Sequence, residues 1–300
     1  MFFLVGPTGS GKSAVALELA TLLDAEIVGA DAFQIYAGLP VLTAQPAASE
    51  RLRVRHHLVG CVPMERPYDV GQYLRAAEET LARLCAENRN ALVVGGTGLY
   101  VRALTHGLAE LPAPDPVLRA ELAALPISEL QARLSQADPG AAQSVDFQNP
   151  HRLVRALELV LQTGKPVSEL RAQWSKPPKR TLGLQVARAP EDLAMRIAAR
   201  TREMVERGVL EEVAAAREAG PTASKAIGFR ELREVVEGRA TLVEALNRME
   251  AATRQYAKRQ RTWFRKEPAF PELALGPETD IQAAARCAAQ LLECGRDSDW

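Results

Sequence analysis

Short apolar runs alternate with helical spacings of apolar residues along much of the chain. Four apolar runs predict strands, at residues 2–5, 26–30, 91–94 and 181–186. Apolar residues at helical spacing lie between the first three runs, as in strand-helix-strand units. Strands that alternate with helices form a parallel sheet that helices cover. We therefore predict an α/β protein with a parallel sheet flanked by helices.

The pattern changes after the third predicted strand. Prolines interrupt the chain from residue 112, and only short helical patterns follow up to residue 180. The clearest of these begins at Asn149, a favourable N-cap, with Pro150 at the first helical position. We therefore predict a core domain of residues 1–111 and 181–300, and a helical insertion domain of residues 112–180.

The last strong helical pattern, residues 242–266, has two different faces. The apolar side, which we predict to be core, carries Met249, Ala252, Tyr256 and Trp263. The opposite side carries the basic stripe, which we define as Arg254, Lys258, Arg261 and Arg265. The stripe has one sign of charge and no interleaved acid to form i,i+4 pairs. We therefore favour contact with a phosphate backbone over a merely solvated face.

The formal net charge of the 300 residues is zero, which by itself argues against a nucleic-acid partner. The distribution of charge changes this picture. Residues 248–266 carry seven basic side chains and one acid, whereas residues 267–300 carry seven acids and two basic side chains. Neutrality is therefore an average over a basic patch and an acidic tail.

Several other features narrow the class of protein. No apolar run approaches the roughly 20 residues that span a bilayer, and the N-terminal strand leaves no room for a signal peptide. We therefore expect a cytoplasmic protein. The four cysteines stand far apart without a C-x-x-C pair, so we expect buried or idle thiols rather than zinc or disulfides. The adjacent His56 and His57 have no third ligand nearby, which favours packing or substrate contact over a metal site.

The first apolar run leads directly into a G-x-x-x-x-G-K-[ST] motif, followed by a helical pattern. This P-loop consists of Gly6, Pro7, Thr8, Gly9, Ser10, Gly11, Lys12 and Ser13. Its glycines let backbone N–H groups turn around a phosphate, and the helix N-terminus adds a positive dipole. Lys12 adds a charge and Ser13 offers a hydroxyl to Mg²⁺. A plain helix-capping turn would not explain these two residues, so we predict a diphosphate site.

The second predicted strand ends at Asp31. Because ligands of such sheets lie beyond the carboxyl ends of the strands, this carboxylate is expected at the same edge as the P-loop. An aspartate that caps a turn is an equal alternative from position alone.

The third predicted strand ends at Gly95, Gly96 and Thr97, where a kinase or ATPase usually has an acid for Mg²⁺. The two glycines can let a substrate approach the backbone, and Thr97 can form a hydrogen bond. A simple strand-to-helix turn is the alternative.

These segments, in this order, resemble the tRNA dimethylallyltransferase family, also called tRNA isopentenyltransferase, along nearly the whole chain. The matching segments are residues 6–13, 30–36, 43–46, 56–58, 94–100, 152–158, 226–229 and 253–263. Gln45 stands where the family commonly has lysine. No zinc-finger extension is present, so we expect the bacterial form.

The resemblance implies transfer of a dimethylallyl group from dimethylallyl diphosphate to N6 of the adenosine 3′ of the tRNA anticodon, with Mg²⁺ helping diphosphate to leave. It implies that Asp31 is the general base, that Thr97 bonds near the reacting centre, and that Arg119 and Lys12 neutralise the diphosphate. It also implies contacts with the anticodon stem-loop from Asp31, Ala32, Phe33, Gln34, Gln148, Asn149, Pro150, His151, Arg152, Lys225, Ala226, Ile227, Gly228, Phe229 and Arg230. We expect a monomer.

Two other functional classes are weighed against this expectation. A small-molecule kinase would use the P-loop for ATP and the insertion as its lid, but Thr97 in place of an acid and the basic helix both argue against it. An RNA-binding scaffold without activity gives no reason for Lys12, Ser13 and Asp31 to occur together. Whether ATP also binds the P-loop is left open by the sequence.

Overall fold

The computed structural model describes residues 1–108, 111–143, 145–172, 181–266 and 270–297. Within these residues one parallel sheet runs in the order β3-β2-β4-β1-β5-β6. Its strands are β1 (Phe2–Val5), β2 (Ala25–Gly29), β3 (His56–His57), β4 (Asn90–Gly95), β5 (Leu182–Ala187) and β6 (Glu272–Ala274). The predicted α/β class is confirmed, and the four predicted strands are present within one residue of their predicted bounds.

Thirteen helices occur within the described residues, and those of the first unit flank the sheet. The thirteen helices are α1 (Lys12–Leu22), α2 (Ala48–Arg53), α3 (Val70–Ala86), α4 (Gly98–His106), α5 (Pro116–Ala123), α6 (Ile127–Ala137), α7 (Pro150–Thr163), α8 (Val167–Ala172), α9 (Pro190–Glu206), α10 (Val209–Ala215), α11 (Phe229–Val236), α12 (Leu242–Phe264) and α13 (Ile281–Asp297). Short 3-10 turns occur at Ala141–Gln143 and Ala223–Lys225. None of the described helices is both long and apolar enough to cross a membrane.

The central strand β1 shows why the sheet is buried on both faces. Its side chains alternate between two apolar clusters, with Phe3 and Val5 on one face and Phe2 and Leu4 on the other. Successive strand residues point to opposite faces, so a strand with four apolar residues needs a helix layer on each side. β1 ends at Val5, and the P-loop begins at the next residue.

The chain divides into two compact units. The first consists of Met1–Thr105 and Arg180–Trp300, and the second of His106–Lys179. The insertion was expected from residue 112, whereas the second unit begins where α4 ends. Residues 173–180 of the expected insertion lie outside the described residues.

Helix α7 shows local capping chemistry within the second unit. The Asn149 side chain accepts a hydrogen bond from the backbone N–H of Arg152 at 3.2 Å, and Pro150 occupies the first helical position. The predicted start of this helix is confirmed. Its apolar face packs with α5 and α6 in a separate core that includes Leu130, Leu134, Leu153 and Leu157.

The long helix α12 buries Met249, as predicted, but the rest of its buried row differs from the predicted apolar side. The buried row is Ala245, Met249, Thr253, Ala257, Gln260 and Phe264. Tyr256 and Trp263 lie at the edge of this row. Both are only half-buried, so the prediction that they are core residues is wrong. The same buried row contains two polar side chains, Thr253 and Gln260, which the apolar pattern did not reveal.

The expected environment of the cysteines also needs correction. All four cysteines, Cys61, Cys85, Cys287 and Cys294, are exposed rather than buried.

Candidate active site

The P-loop lies at the carboxyl end of β1 and requires its glycines. Gly6 has a φ of 152°, and a Cβ at this position would lie 2.7 Å from the Val186 carbonyl oxygen. Gly11 has a φ of 87° and is the N-cap of α1. Both positions favour glycine for steric or conformational reasons. The N-terminus of α1, with Lys12 as its first residue, therefore opens onto the loop.

A cavity of about 540 Å³ lies over the P-loop, entirely within the first unit. It brings together these residues predicted from the sequence: Pro7, Thr8, Gly9, Ser10, Gly11, Lys12, Ser13, Asp31, Phe33, Gln34, Ala226 and Ile227. Gly6 supports the loop from the side of β5. The cavity also has an apolar part, which includes Leu42, Met204 and Met249. One end of the cavity therefore suits a phosphate group and another part suits a hydrocarbon.

Three arginines, to which sequence reasoning gave no role, hold the P-loop. Arg188 donates from Nε to the Ser10 carbonyl at 2.7 Å, and Arg196 donates from Nε to the Gly9 carbonyl at 2.9 Å. Arg200 donates from Nη2 to Oγ1 of Thr8 at 2.6 Å. Arg196 and Arg200 are four residues apart on α9, a spacing that places both on one helix face. That spacing was the signal available in the sequence, but it did not indicate what the face contacts.

The charges around the P-loop act on one another. Burial lowers the pKa of the Lys12 amine, Asp31 opposes this effect, and Arg200 adds to it. Burial likewise lowers the pKa of the Arg200 guanidinium, again against the effect of Asp31. Removal of cations from water is costly unless an anion compensates. A bound diphosphate would provide that compensation for both groups.

Asp31 both caps a turn and lines the cavity, the two alternatives that its position in the sequence left equal. Its Oδ1 accepts hydrogen bonds from the backbone N–H groups of Phe33 at 2.9 Å and Gln34 at 3.3 Å. These bonds are the turn-capping arrangement. The same residue lines the cavity with Lys12, so the capping role does not remove the carboxylate from the site.

Thr97 lies behind Asp31 and outside the set of cavity-lining residues. Its Oγ1 accepts from the Ala32 N–H at 3.0 Å, and its side chain is hydrogen-bonded to the Tyr256 phenol. Burial, together with the nearby Asp31 charge, raises the pKa of Tyr256, so the phenol stays protonated. Thr97 therefore supports the loop that carries the carboxylate.

The glycines at the end of β4 pack closely against neighbouring protein atoms, which favours the strand-to-helix turn over the approach of a substrate to this backbone. A Cβ on Gly95 would lie 2.0 Å from the Ala30 carbonyl oxygen, and one on Gly96 would lie 2.3 Å from Nε2 of Gln260. The space beside this turn is thus filled by β2 and α12. The missing side chains allow α12 to lie against the carboxyl edge of the sheet.

The amino-acid sequence matches one family of known proteins along nearly its whole length. A family model described as IPP transferase matches residues 34–267, and another described as isopentenyl transferase matches residues 1–65. The tRNA dimethylallyltransferase of Akkermansia muciniphila is 41% identical and covers 94% of this chain and 96% of its own. That of Myxococcus xanthus is 40% identical, with 95% and 96% covered. The chain belongs to the tRNA dimethylallyltransferase family.

Solved structures agree with this assignment. The tRNA isopentenylpyrophosphate transferase of Bacillus halodurans has a TM-score of 0.69 at 30% identity, covering 98% of this chain and 97% of that one. A eukaryotic dimethylallyltransferase described as acting on tRNA has a TM-score of 0.81 at 25% identity, covering 96% and 77%. The protein is therefore a prenyltransferase of this family, and the kinase alternative is set aside.

The predicted contacts with RNA fall in two places. In the first unit, Lys225 and Arg230 are exposed, whereas Ala226, Gly228 and Phe229 are buried and shape the segment. Ile227 and Phe33 lie between these extremes, at the cavity. In the second unit, Gln148, Pro150, His151 and Arg152 are exposed and Asn149 caps α7. These contacts stay predictions.

Arg119, expected to neutralise the leaving diphosphate, belongs to the second unit. Its Nη2 donates to Oε2 of Glu158 at 2.6 Å. Glu158 is fully buried and also accepts from Arg155 and from the backbone N–H of Asp115, and these partners hold the pKa of its carboxyl below the usual value. The contact of Arg119 with diphosphate stays a prediction.

His56 and His57 contact the protein itself, and the basic stripe is exposed. His57 is bonded to Glu26 at 2.6 Å and His56 to the Val54 carbonyl at 2.7 Å, which agrees with the packing alternative. All four residues of the basic stripe are exposed. Arg254 pairs with Glu250 at 3.5 Å, so the expectation that the stripe has no i,i+4 acid partner is wrong at this position.

Proposed function

We propose that this enzyme transfers the dimethylallyl group of dimethylallyl diphosphate to N6 of the adenosine 3′ of the anticodon in tRNA, with release of diphosphate. The observation that carries the proposal is that Lys12, Arg200 and the Asp31 carboxylate line one cavity. A cationic cradle for a leaving diphosphate and a base for an amine are the two requirements of this reaction. The family relationship supports the same conclusion.

The diphosphate lies on the P-loop in this proposal. Backbone N–H groups at the start of α1, the Lys12 amine and the Arg200 guanidinium oppose the negative charge that grows on the leaving oxygen. The dimethylallyl chain occupies the apolar part of the cavity near Leu42, Met204 and Met249. The residues therefore hold the two ends of the donor by different interactions.

Asp31 acts as the general base. The lone pair of the adenine N6 attacks C1 of the donor, and the C1–O bond to diphosphate breaks with its electron pair on oxygen. N6 then carries an additional proton, which passes to the Asp31 carboxylate. The turn bonds to Phe33 and Gln34 fix the carboxylate by Oδ1 during this step.

Mg²⁺ fits the oxygen donors of the cavity. Among the described residues no cluster of three or more histidine, cysteine or acidic side chains is placed to hold a metal. Mg²⁺ is commonly held by one or two protein oxygens together with substrate phosphates, and the Ser13 hydroxyl at the cavity is suited to this. When bound there, the ion supplies neutralisation of phosphate charge.

The acceptor adenine leaves its stack to reach the cavity. Phe33, Gln34 and Ile227 border the cavity on the acceptor side, and the exposed Lys225 and Arg230 lie close in sequence to Ile227. The basic stripe contacts RNA phosphates. Residues 148–152 add contacts with the tRNA, whereas Arg119 neutralises the leaving diphosphate in this proposal. We expect the protein to act as a monomer in the cytoplasm, where its tRNA substrate is found.

Mass spectrometry of tRNA nucleosides tests the proposal. Unmodified tRNA incubated with the protein, Mg²⁺ and dimethylallyl diphosphate should gain one dimethylallyl group on the adenosine 3′ of the anticodon. A tRNA with guanosine at that position is the matched control. Absence of the product, or transfer of label from the γ-phosphate of ATP to a product, would contradict the proposal.

A further inference from the structure

A buried glutamine on α12 joins two loops at the edge of the sheet. Gln260 is only 5% exposed, and its Oε1 accepts from the Thr8 N–H at 2.8 Å. Its Nε2 donates to the Gly96 carbonyl at 2.9 Å. Thr8 follows β1 and Gly96 follows β4, which are neighbouring strands. One amide side chain therefore ties the P-loop to the adjacent turn.

The geometry requires an amide of this length. The Thr8 N–H needs an acceptor and the Gly96 carbonyl needs a donor, and the primary amide of Gln260 supplies both. The position of Nε2 also depends on the absence of a side chain on Gly96, since a Cβ there would lie 2.3 Å away. The glycine and the glutamine thus form one interlocking contact.

Thr8 is held on two sides by this arrangement. Gln260 binds its backbone N–H, while Arg200 donates to its hydroxyl. Loss of Gln260 would leave a backbone N–H without its acceptor and would free the P-loop at the residue that also orients Arg200. The Arg200 guanidinium, which we propose binds the leaving diphosphate, would then lose its fixed position.

We propose that Gln260 is a positioning residue for the diphosphate of the donor, acting through Thr8 and the P-loop. This inference rests on the proposed function. Its neighbour Tyr256 is hydrogen-bonded both to Gln260 and to Thr97, which supports the Asp31 loop through the Ala32 N–H. Helix α12 therefore positions the diphosphate cradle and the base from one side.

The primary test compares Gln260→Met with the wild type. Methionine keeps the length of the side chain but loses the hydrogen bonds to Thr8, Gly96 and Tyr256. Each lost hydrogen bond contributes modestly, and several other groups of the P-loop still hold the donor. We therefore expect the donor KM to rise only on the order of tenfold. The dissociation constant of inorganic diphosphate should rise by the same factor. The tRNA KM should stay at the wild-type value.

Thr201→Val is the matched control. Thr201 is buried on α9 and its hydroxyl donates to the Ile197 carbonyl at 2.9 Å, outside the residues that line the cavity. This change also removes a buried hydrogen bond and should lower Tm without raising the donor KM. A Gln260→Met variant that loses only Tm, with diphosphate binding unchanged, would overturn the proposal.

A second variant keeps the test decisive if Gln260→Met does not fold. Gly96→Ala should displace the Gln260 amide and raise the diphosphate dissociation constant in the same way. If both variants fold, their combination should raise it no further than either alone, since they break one contact. Independent, additive effects would overturn the proposal.

Calorimetry with inorganic diphosphate separates this proposal from the proposed function. If the wild type transfers no dimethylallyl group to tRNA, the proposed function fails. Weaker diphosphate binding by Gln260→Met would still support the positioning role in that case. Equal binding by both proteins, or none by the wild type, would overturn it.

Discussion

Arg200 and Thr8 connect helix α9 to the P-loop, because Nη2 of the arginine donates to Oγ1 of the threonine at 2.6 Å. The guanidinium is buried, and burial lowers its pKa while Asp31 opposes that effect. A buried cation held this way is preorganised to bind an anion. The first prediction follows from this contact.

Arg200→Ala should weaken binding of dimethylallyl diphosphate by about 10- to 100-fold, since a hydrogen bond to a charged group contributes about 1.5–3 kcal/mol. Calorimetry measures the affinity. Arg202→Ala removes an exposed arginine from the same helix, outside the cavity-lining set, and should leave donor affinity unchanged. Equal affinities for the Arg200→Ala variant and the wild type would remove Arg200 from the donor site.

The sequence patterns predict those features of the fold that depend on residues close together in the sequence. The P-loop, the strand that precedes Asp31 and the capped start of α7 are each specified within about a dozen positions. The edge strands β3 and β6 were not predicted, because they are two and three residues long and lack an apolar run. Their pairing depends on neighbouring strands rather than on their own composition.

The residues missed at the site depend on distant contacts. Gln260 lies 252 positions from Thr8, and Arg200 lies 192 positions from it. Gln260 is a polar residue in the buried row of α12, and the helical period gives no indication of its partner. For the same reason, the period could not show that Tyr256 borders a cavity and is only half-buried.

A second prediction concerns Lys12 and the uptake of protons. Burial lowers the pKa of its amine below the ordinary value for lysine, so the amine loses its charge at a lower pH than a solvent-exposed lysine does. A bound diphosphate favours the charged form and raises this pKa again. Donor binding at alkaline pH should therefore be accompanied by proton uptake, and affinity should fall as the pH rises.

Calorimetry in buffers with different ionisation enthalpies measures this uptake. Lys12→Arg is the control, because arginine keeps its charge over the same pH range. The variant should bind without uptake that depends on pH. An equal uptake in both proteins would assign the titration to another group.

The third prediction concerns the basic stripe. Replacement of Arg254, Lys258 and Arg261 by glutamine should lower tRNA affinity. It should also reduce the log-log salt slope by roughly 0.7 to 0.9 for each lost phosphate contact. The pairing of Arg254 with Glu250 should make its share the smallest. Donor KM should stay near the wild-type value.

The control for this triple variant removes the same net charge elsewhere. Arg83, Arg202 and Arg286 are exposed on α3, α9 and α13, and their replacement by glutamine should leave the salt slope unchanged. If both triple variants lower the slope equally, the effect is one of total charge and the stripe has no specific role.

Asp31 provides the last prediction, because its geometry combines capping with a place in the cavity. Asparagine keeps the Oδ1 acceptor for the N–H groups of Phe33 and Gln34, so Asp31→Asn should have a Tm near the wild-type value. An amide cannot accept the N6 proton. General bases contribute typically 10²- to 10⁴-fold, which sets the expected loss in single-turnover rate with saturating tRNA and donor.

A comparison of rate with thermal stability distinguishes the base from the cap. The base role requires the single-turnover rate of Asp31→Asn to fall while its Tm stays near the wild-type value. Retention of most of the wild-type rate in the variant would reject Asp31 as the base. Loss of activity together with Tm would instead assign the residue to the turn, since the cap alone would then explain the defect.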